Sequence, residues 1–314
     1  MASSSRPHTI PELIYISPTS STPAQEPTGA ANISIREYIY FLPHPLPPKT
    51  PIPYTPGLPS INPLELSSTP LEPTSTLVLT TPRKAFVDLR YLKPTSPSES
   101  ALPNHGEAHR LDWGFAGVSH STPAKPAHDT DTAFNHASWT HWLDSRVPIN
   151  EPIPPDHGDM YDLGEGLFLE HGHAWHPHLG RVAGHEELWR DVEPQATHNE
   201  EGGKVCVLLR CHDEGERVRG VVVRVGRFCQ GILQRGAECT TERWEFDAGR
   251  VPDEESTVDG LECVRQDNGW KRTARTGDAF VPCTATFRTE IVQLGGRVRY
   301  GGLEWVVEEA WVWK

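Results

Sequence analysis

The chain has 314 residues, with 30 prolines, 26 glycines, 36% hydrophobic residues and a formal charge of -13. That charge argues against nucleic acid, whose phosphates need clustered Lys and Arg, and no uncharged apolar run approaches the roughly 20 residues of a membrane-spanning helix, so no membrane insertion is expected. Twenty-two of the 30 prolines precede residue 127, so the low apolar fraction describes one end of the chain, and the length suits two domains of ordinary size.

Residues 1–30 are mostly Ser, Thr, Pro and Ala with little to bury, and a disordered tail is expected there. Their beginning has no apolar core, so a secretory signal is not expected and an intracellular location is. Residues 33–41 alternate apolar and polar side chains and read as the first strand. Proline then recurs through 43–73, and because it fixes φ and lacks a donor, this segment reads as an extended insertion packed over a surface. Residues 76–92 form two strand-like runs around a Pro-Arg-Lys turn. In the second run Phe86, Asp88, Arg90 and Leu92 share one face, and Val87, Leu89 and Tyr91 the other.

Residues 111–117 read as a strand with glycines at a bend or close backbone approach. In 136–144 the spacing of Trp139, Trp142 and Leu143 fits a short helical turn or an aromatic strand equally well. Strand-length pieces follow at 166–172 and 186–190, and 193–203 is the candidate domain boundary. Beyond it, strands are expected at 205–209, 218–225, 227–233, 241–246, 261–264, 279–281, 284–289, 297–300 and 303–313, the spacing of an antiparallel meander. The basic residues of 217–227 alternate with Val and Gly and read as the wet face of a strand pair. The expected architecture is mainly β, in two antiparallel units at 31–195 and 203–314, each closed into a barrel because closure removes exposed edges.

Four stretches carry a family resemblance in combination: Phe86-Val87-Asp88-Leu89-Arg90, then Asp112-Trp113-Gly114-Phe115-Ala116-Gly117, then Trp139 to Ser145, then Glu186-Glu187-Leu188-Trp189. Together they resemble the fungal HRI-type protein family, named for interaction with a casein-kinase-I-type kinase in yeast. The resemblance implies a pair of calycin-like, lipocalin-type β-barrels, a cytoplasmic and nuclear location, a kinase of that type as partner, and no established reaction or catalytic residue. The insertion at 43–73 and the histidines around Trp175 depart from the family pattern.

Candidate chemistry is concentrated in the N-terminal unit. Thirteen of the 16 histidines lie between His105 and His198, and on a strand His171 and His173 point the same way, so with His176 after a turn they form a candidate metal site. Competing with it is the plainer reading of solvated histidines in an acidic loop. Asp88 and Arg90, if turned into the barrel, need mutual hydrogen bonding, because an unpaired buried charge is strongly unfavourable. They form either an ion pair that closes the barrel or an anchor for a ligand. Asp112, Trp113, Trp139 and Trp142 are candidates for the walls and polar anchor of a small hydrophobic ligand's pocket, set against simple core filling. No nucleophile elbow, phosphate-cradling loop or dinucleotide fingerprint occurs, so no catalytic residue and no cofactor is expected. The six cysteines lack Cys-x-x-Cys spacing and read as buried, reduced thiols.

Two functional readings stand side by side. One is a non-enzymatic interaction protein that partners a casein-kinase-I-type kinase. The other is a small-ligand carrier or cofactorless enzyme that uses the N-terminal barrel. An open cavity in either barrel separates them.

Overall fold

The structure, a computed structural model, describes residues 10–18, 27–58, 62–124, 133–197, 203–248, 269–289 and 291–314. Eight strands run in sequence order: β2 (Asn32–Leu42), β3 (Thr74–Thr80), β4 (Ala85–Leu92), β5 (Leu111–Ala124), β6 (Phe134–Asp144), β7 (Asp156–Gly164), β8 (Leu167–His176) and β9 (Arg181–Asp191). Each pairs antiparallel with its neighbour, and β9 pairs back onto β2 from Ser34 to Leu42, so the meander closes into an eight-stranded up-and-down barrel. The 136–144 segment is strand, as its pairing with both β5 and β7 requires. β7 was not expected, since its Asp, Gly and His content hides the alternation. Gly117 meets a close backbone approach: a Cβ there would lie 1.9 Å from the Thr140 carbonyl oxygen.

The second unit is a large antiparallel sheet of β1 (Ile14–Ile16), β10 (Lys204–Asp213), β11 (Val218–Val225), β12 (Phe228–Arg235), β13 (Glu238–Phe246), β14 (Trp270–Thr276), β15 (Arg297–Tyr300) and β16 (Leu303–Trp313). Across the sheet they are ordered β1-β15-β16-β10-β11-β12-β13-β14. Where the sequence led to a second closed barrel, no pairing joins β1 to β14 among the described residues. The β14 edge is instead met by the β4–β5 loop, through Arg275 N to Pro103 O (2.7 Å) and Gly106 N to Arg275 O (3.3 Å). The N-terminal segment, expected as tail, supplies β1 to the opposite edge, with Tyr15 facing Val298. The expected strand at 284–289 is a 3-10 helix at Cys283–Phe287, residues 279–281 are not strand, and 261–264 lies outside the described residues.

That 3-10 segment packs into the core of the second unit. Ala285 and Phe287 are buried against Trp244, Trp270 and Trp305, and Gly231 has no room for a Cβ because Val281 and Cys283 press on it. Arg224, expected on a wet face, is fully buried, donating to Thr286 O (2.7 Å) and Gly226 O (3.0 Å). It points inward with Val222 because it has even parity on β11, while Val221, Val223 and Val225 face the first unit.

Those valines, with Leu208 and Ile232, pack on Leu77, Leu79, Val87 and Leu89 from the outer face of β3 and β4. One apolar layer is thus shared by both units. It makes the outside of the N-terminal barrel apolar on that side and leaves its inside to the alternate residues. No helix among the described residues is long and apolar enough to cross a membrane.

Candidate functional site

The interior of the N-terminal barrel is open. A cavity of about 710 Å³ lies inside it, within the range of small-molecule sites. It reaches the surface at exposed Arg83, His120 and Ser121, and at depth it meets Asp88, Arg90, Asp156, Glu170 and Trp189. Between rim and floor the walls are Phe86, Phe115, Val118, Trp139, Met160 and Phe168.

The polar floor follows from strand alternation. On β2 the inward side carries Asn32, Ser34 and Arg36, on β4 Phe86, Asp88 and Arg90, and on β9 His185, Glu187 and Trp189. Arg36 donates to Glu187 (2.8 Å), Glu72 (2.9 Å) and Thr74 (2.8 Å). Arg90 donates twice to Asp88 Oδ2, at 3.1 and 2.9 Å, and reaches Glu187 at 3.5 Å. Its guanidinium also lies 5.0 Å from the Trp113 ring and 5.3 Å from Phe115.

Burial and pairing pull these groups in different directions. Burial raises the Asp88 carboxyl, an effect that Arg90 offsets only in part. Glu187 is also buried, but Arg36, Arg90 and His185 together hold it down at about 2. Glu170 is raised by burial, with the Glu187 and Asp156 charges adding to that effect. His185, 3.7 Å from Glu170, is raised, the carboxylates around it outweighing its burial. The Trp189 indole donates to Glu170 at 3.0 Å. At the closed end His141, stacked on Phe115, meets Asp144 at 3.0 Å.

The residues singled out from sequence divide among several places. Asp88 and Arg90 form the expected buried pair and line the cavity, and Trp139 lines it too. Trp113 lies at the closed end beneath Arg90, donating to Asp144 at 2.9 Å. Asp112 pairs with Arg146 at 3.3 Å and borders a separate groove between the units. Trp142 points away from the cavity: Arg210 and Arg219 lie over its ring at 4.5 and 5.4 Å, and it packs on the layer between the units.

The histidine trio is not brought to one point. His171 and His173 do share the outer face of β8, but the first meets Glu186 at 3.2 Å and the second stacks on His44 of the insertion. His176 lies on the opposite face, 3.3 Å from His185. Its burial beside that ring lowers it to about 4. Among the described residues no three His, Cys, Asp or Glu side chains are grouped to hold a metal ion.

Arg36, Asp156, His185 and Glu187 were not foreseen, and Glu170, an acidic neighbour of the candidate histidine site in the sequence, lines the cavity instead. The signal for them was the polar half of each alternation, which reads naturally as the solvent face. The second unit and the insertion cover so much of the barrel's outside that the polar half turns inward.

Comparisons with known proteins agree with this architecture. The profile of a family described as Protein HRI1 matches residues 62–309. The crystal structure of an uncharacterized protein from Saccharomyces cerevisiae superposes with a TM-score of 0.58 at 17% identity, covering 89% of this chain and 98% of that one. No curated protein matches the chain in sequence.

Proposed function

The chain belongs to the HRI1 family, and we propose that it is a binding protein whose N-terminal barrel holds a small amphipathic ligand. The observation that carries this is the interior of the N-terminal barrel, which keeps about 710 Å³ free behind an apolar wall of Phe86, Phe115, Val118, Met160 and Phe168. An unfilled interior forfeits packing contacts that a barrel of this size can otherwise make. Binding rather than catalysis is supported by the commitment of the deep guanidinium, which Asp88 and Glu187 hold.

The test is to fill the cavity from within. Ala137 is buried and lines it, so Ala137→Trp places an indole where the ligand lies. N-phenyl-1-naphthylamine, neutral and fluorescent in apolar surroundings, binds the parent protein. It binds the variant at least about tenfold more weakly, a loss of about 1.4 kcal/mol, while far-ultraviolet circular dichroism is unchanged. Equal binding by both proteins, or none by the parent, overturns the reading.

A protein partner of casein-kinase-I type, acting with this protein in the cytoplasm and nucleus, is a second proposal. It is supported by the exposed Ser98 and Ser100 beside Glu99 on the β4–β5 loop, which offer accessible phosphoacceptors. The free Cys206, Cys211, Cys229, Cys239 and Cys283 suit a reducing compartment. If the purified kinase neither binds the protein nor phosphorylates 95–100, this second proposal fails.

A further inference from the structure

We propose that the cavity selects a small amphipathic cation, an apolar chain or ring carrying a protonated amine, with the ammonium held in the corner formed by Asp156, Glu170 and Trp139. This rests on the reading that the barrel binds a small ligand, and it names the chemical class of that ligand.

The floor lacks donors, not acceptors. Asp88 Oδ1 and Glu187 Oε2 are buried atoms with no hydrogen-bond partner, and Asp88, 2% exposed, lines the cavity. An ionised carboxylate only accepts, so the missing partner is a donor. Of the Lys and Arg side chains that line the cavity, Arg90 is the deep one, and it is already used by Asp88 and Glu187 and lies against Trp113 and Phe115, so it is not available to an anionic head group.

The corner itself suits an ammonium. Asp156 sits opposite Trp139 in the β6–β7 register and both line the cavity, as does Glu170 on the next strand. The Asp156 side chain is 25% exposed, so a head group reaches it without rearrangement. The Asp156 charge helps to hold Glu170 above the usual carboxylate range, and a cation between them relieves that repulsion. The face of Trp139 adds a cation–π contact. Phe86, Val118, Met160 and Phe168 then take the apolar body toward the rim. Arg83 and Lys84 at the rim offer the opposite arrangement, an anionic head held at the mouth.

Calorimetric titration of the full chain with decylammonium, decanol and decanoate, below their micellar concentrations, decides between these. Decylammonium is expected to bind at least about tenfold tighter than decanol, the size of one well-formed ion contact, and decanoate weaker than either. Asp156→Asn is expected to cost decylammonium roughly tenfold and to leave decanol within about twofold. If decanoate binds tightest, or Asp156→Asn changes nothing, the head-group assignment is overturned while the binding reading survives. If none of the three binds the folded parent protein, the binding reading itself is overturned.

Discussion

At the scale of single residues, the barrel floor depends on Glu187. It is buried and faces two guanidiniums, donated to by Arg36 at 2.8 Å and reached by Arg90 at 3.5 Å. Removing one member of a buried charge set leaves the others without compensation, at a cost of about 3–5 kcal/mol. Glu187→Gln keeps the shape and one acceptor, so a loss of about 3 kcal/mol at pH 7 is expected from denaturant unfolding. The carboxyl is depressed from 4.5 to about 2. Its stabilisation is therefore fully present above pH 4.5 and is lost as pH falls toward 2. Asp88 and Glu170 are raised and contribute with the opposite sign over the acid range. The informative quantity is thus the difference between proteins: the gap between parent and Glu187→Gln stability narrows between pH 4.5 and 2. A gap that stays constant across that window means Glu187 does not hold the floor.

At the scale of elements, the middle of the Pro-rich insertion is fixed to the barrel wall by one carboxylate on the outer face of β9. Glu186 accepts from Tyr54 N (2.8 Å), Thr55 N (2.7 Å) and Thr55 Oγ1 (2.6 Å). Hydrogen bonds to a charged acceptor contribute about 1.5–3 kcal/mol each, so the clamp is the main anchor of residues 54–55, while Arg36 to Glu72 (2.9 Å), Ile39 N to Leu71 O and Tyr40 to Ser67 O hold the far end of the insertion. Glu186→Ala is expected to raise the rate of limited proteolysis within 45–70 at least about tenfold, because cleavage follows local opening, with the barrel's circular dichroism retained. Cleavage that is unchanged, or that spreads through the strands, contradicts a local clamp. The insertion also marks how far the sequence could be read. Proline alone placed an extended segment over a surface at 43–73, and the faces of β4 came directly from its alternation. The direction of each face did not, because inside and outside are set by what covers the barrel. Nothing local to Arg224 or Glu187 says that the neighbouring segment is another unit and not water. Likewise 283–287 carries strand-forming Thr and Phe, and it is helical because it fills a space made by strands distant in sequence.

At the scale of the whole molecule, the two units are joined by a layer that neither completes alone. Arg243 of β13 is buried in it, donating to Gln230 Oε1 (2.9 Å), Ser75 Oγ (2.8 Å), Ser75 O (3.2 Å) and Leu89 O (2.9 Å), with its guanidinium 4.9 Å from the Tyr91 ring. Gln230 extends the same bridge to Leu77 O at 2.8 Å, and Tyr91 donates to Thr241 at 2.9 Å. Separating the units exposes Leu77, Leu79, Leu89, Val221 and Val223, at about 25 cal/mol for each Å² of apolar surface returned to water. It also strips these polar groups of their partners. Neither unit therefore melts at its own temperature. Fluorescence from Trp139 and Trp189 in the first unit, and from Trp244 and Trp270 in the second, read through single-tryptophan variants, should give coincident transitions, as an all-or-none process requires. Arg243→Leu retains apolar bulk but leaves Gln230 and two backbone carbonyls short of a donor, at about 1–3 kcal/mol for each group left unsatisfied. It should lower both midpoints together. A variant in which only the second unit's transition moves means that the shared layer does not couple them, and that the barrel with its cavity is stable in its own right.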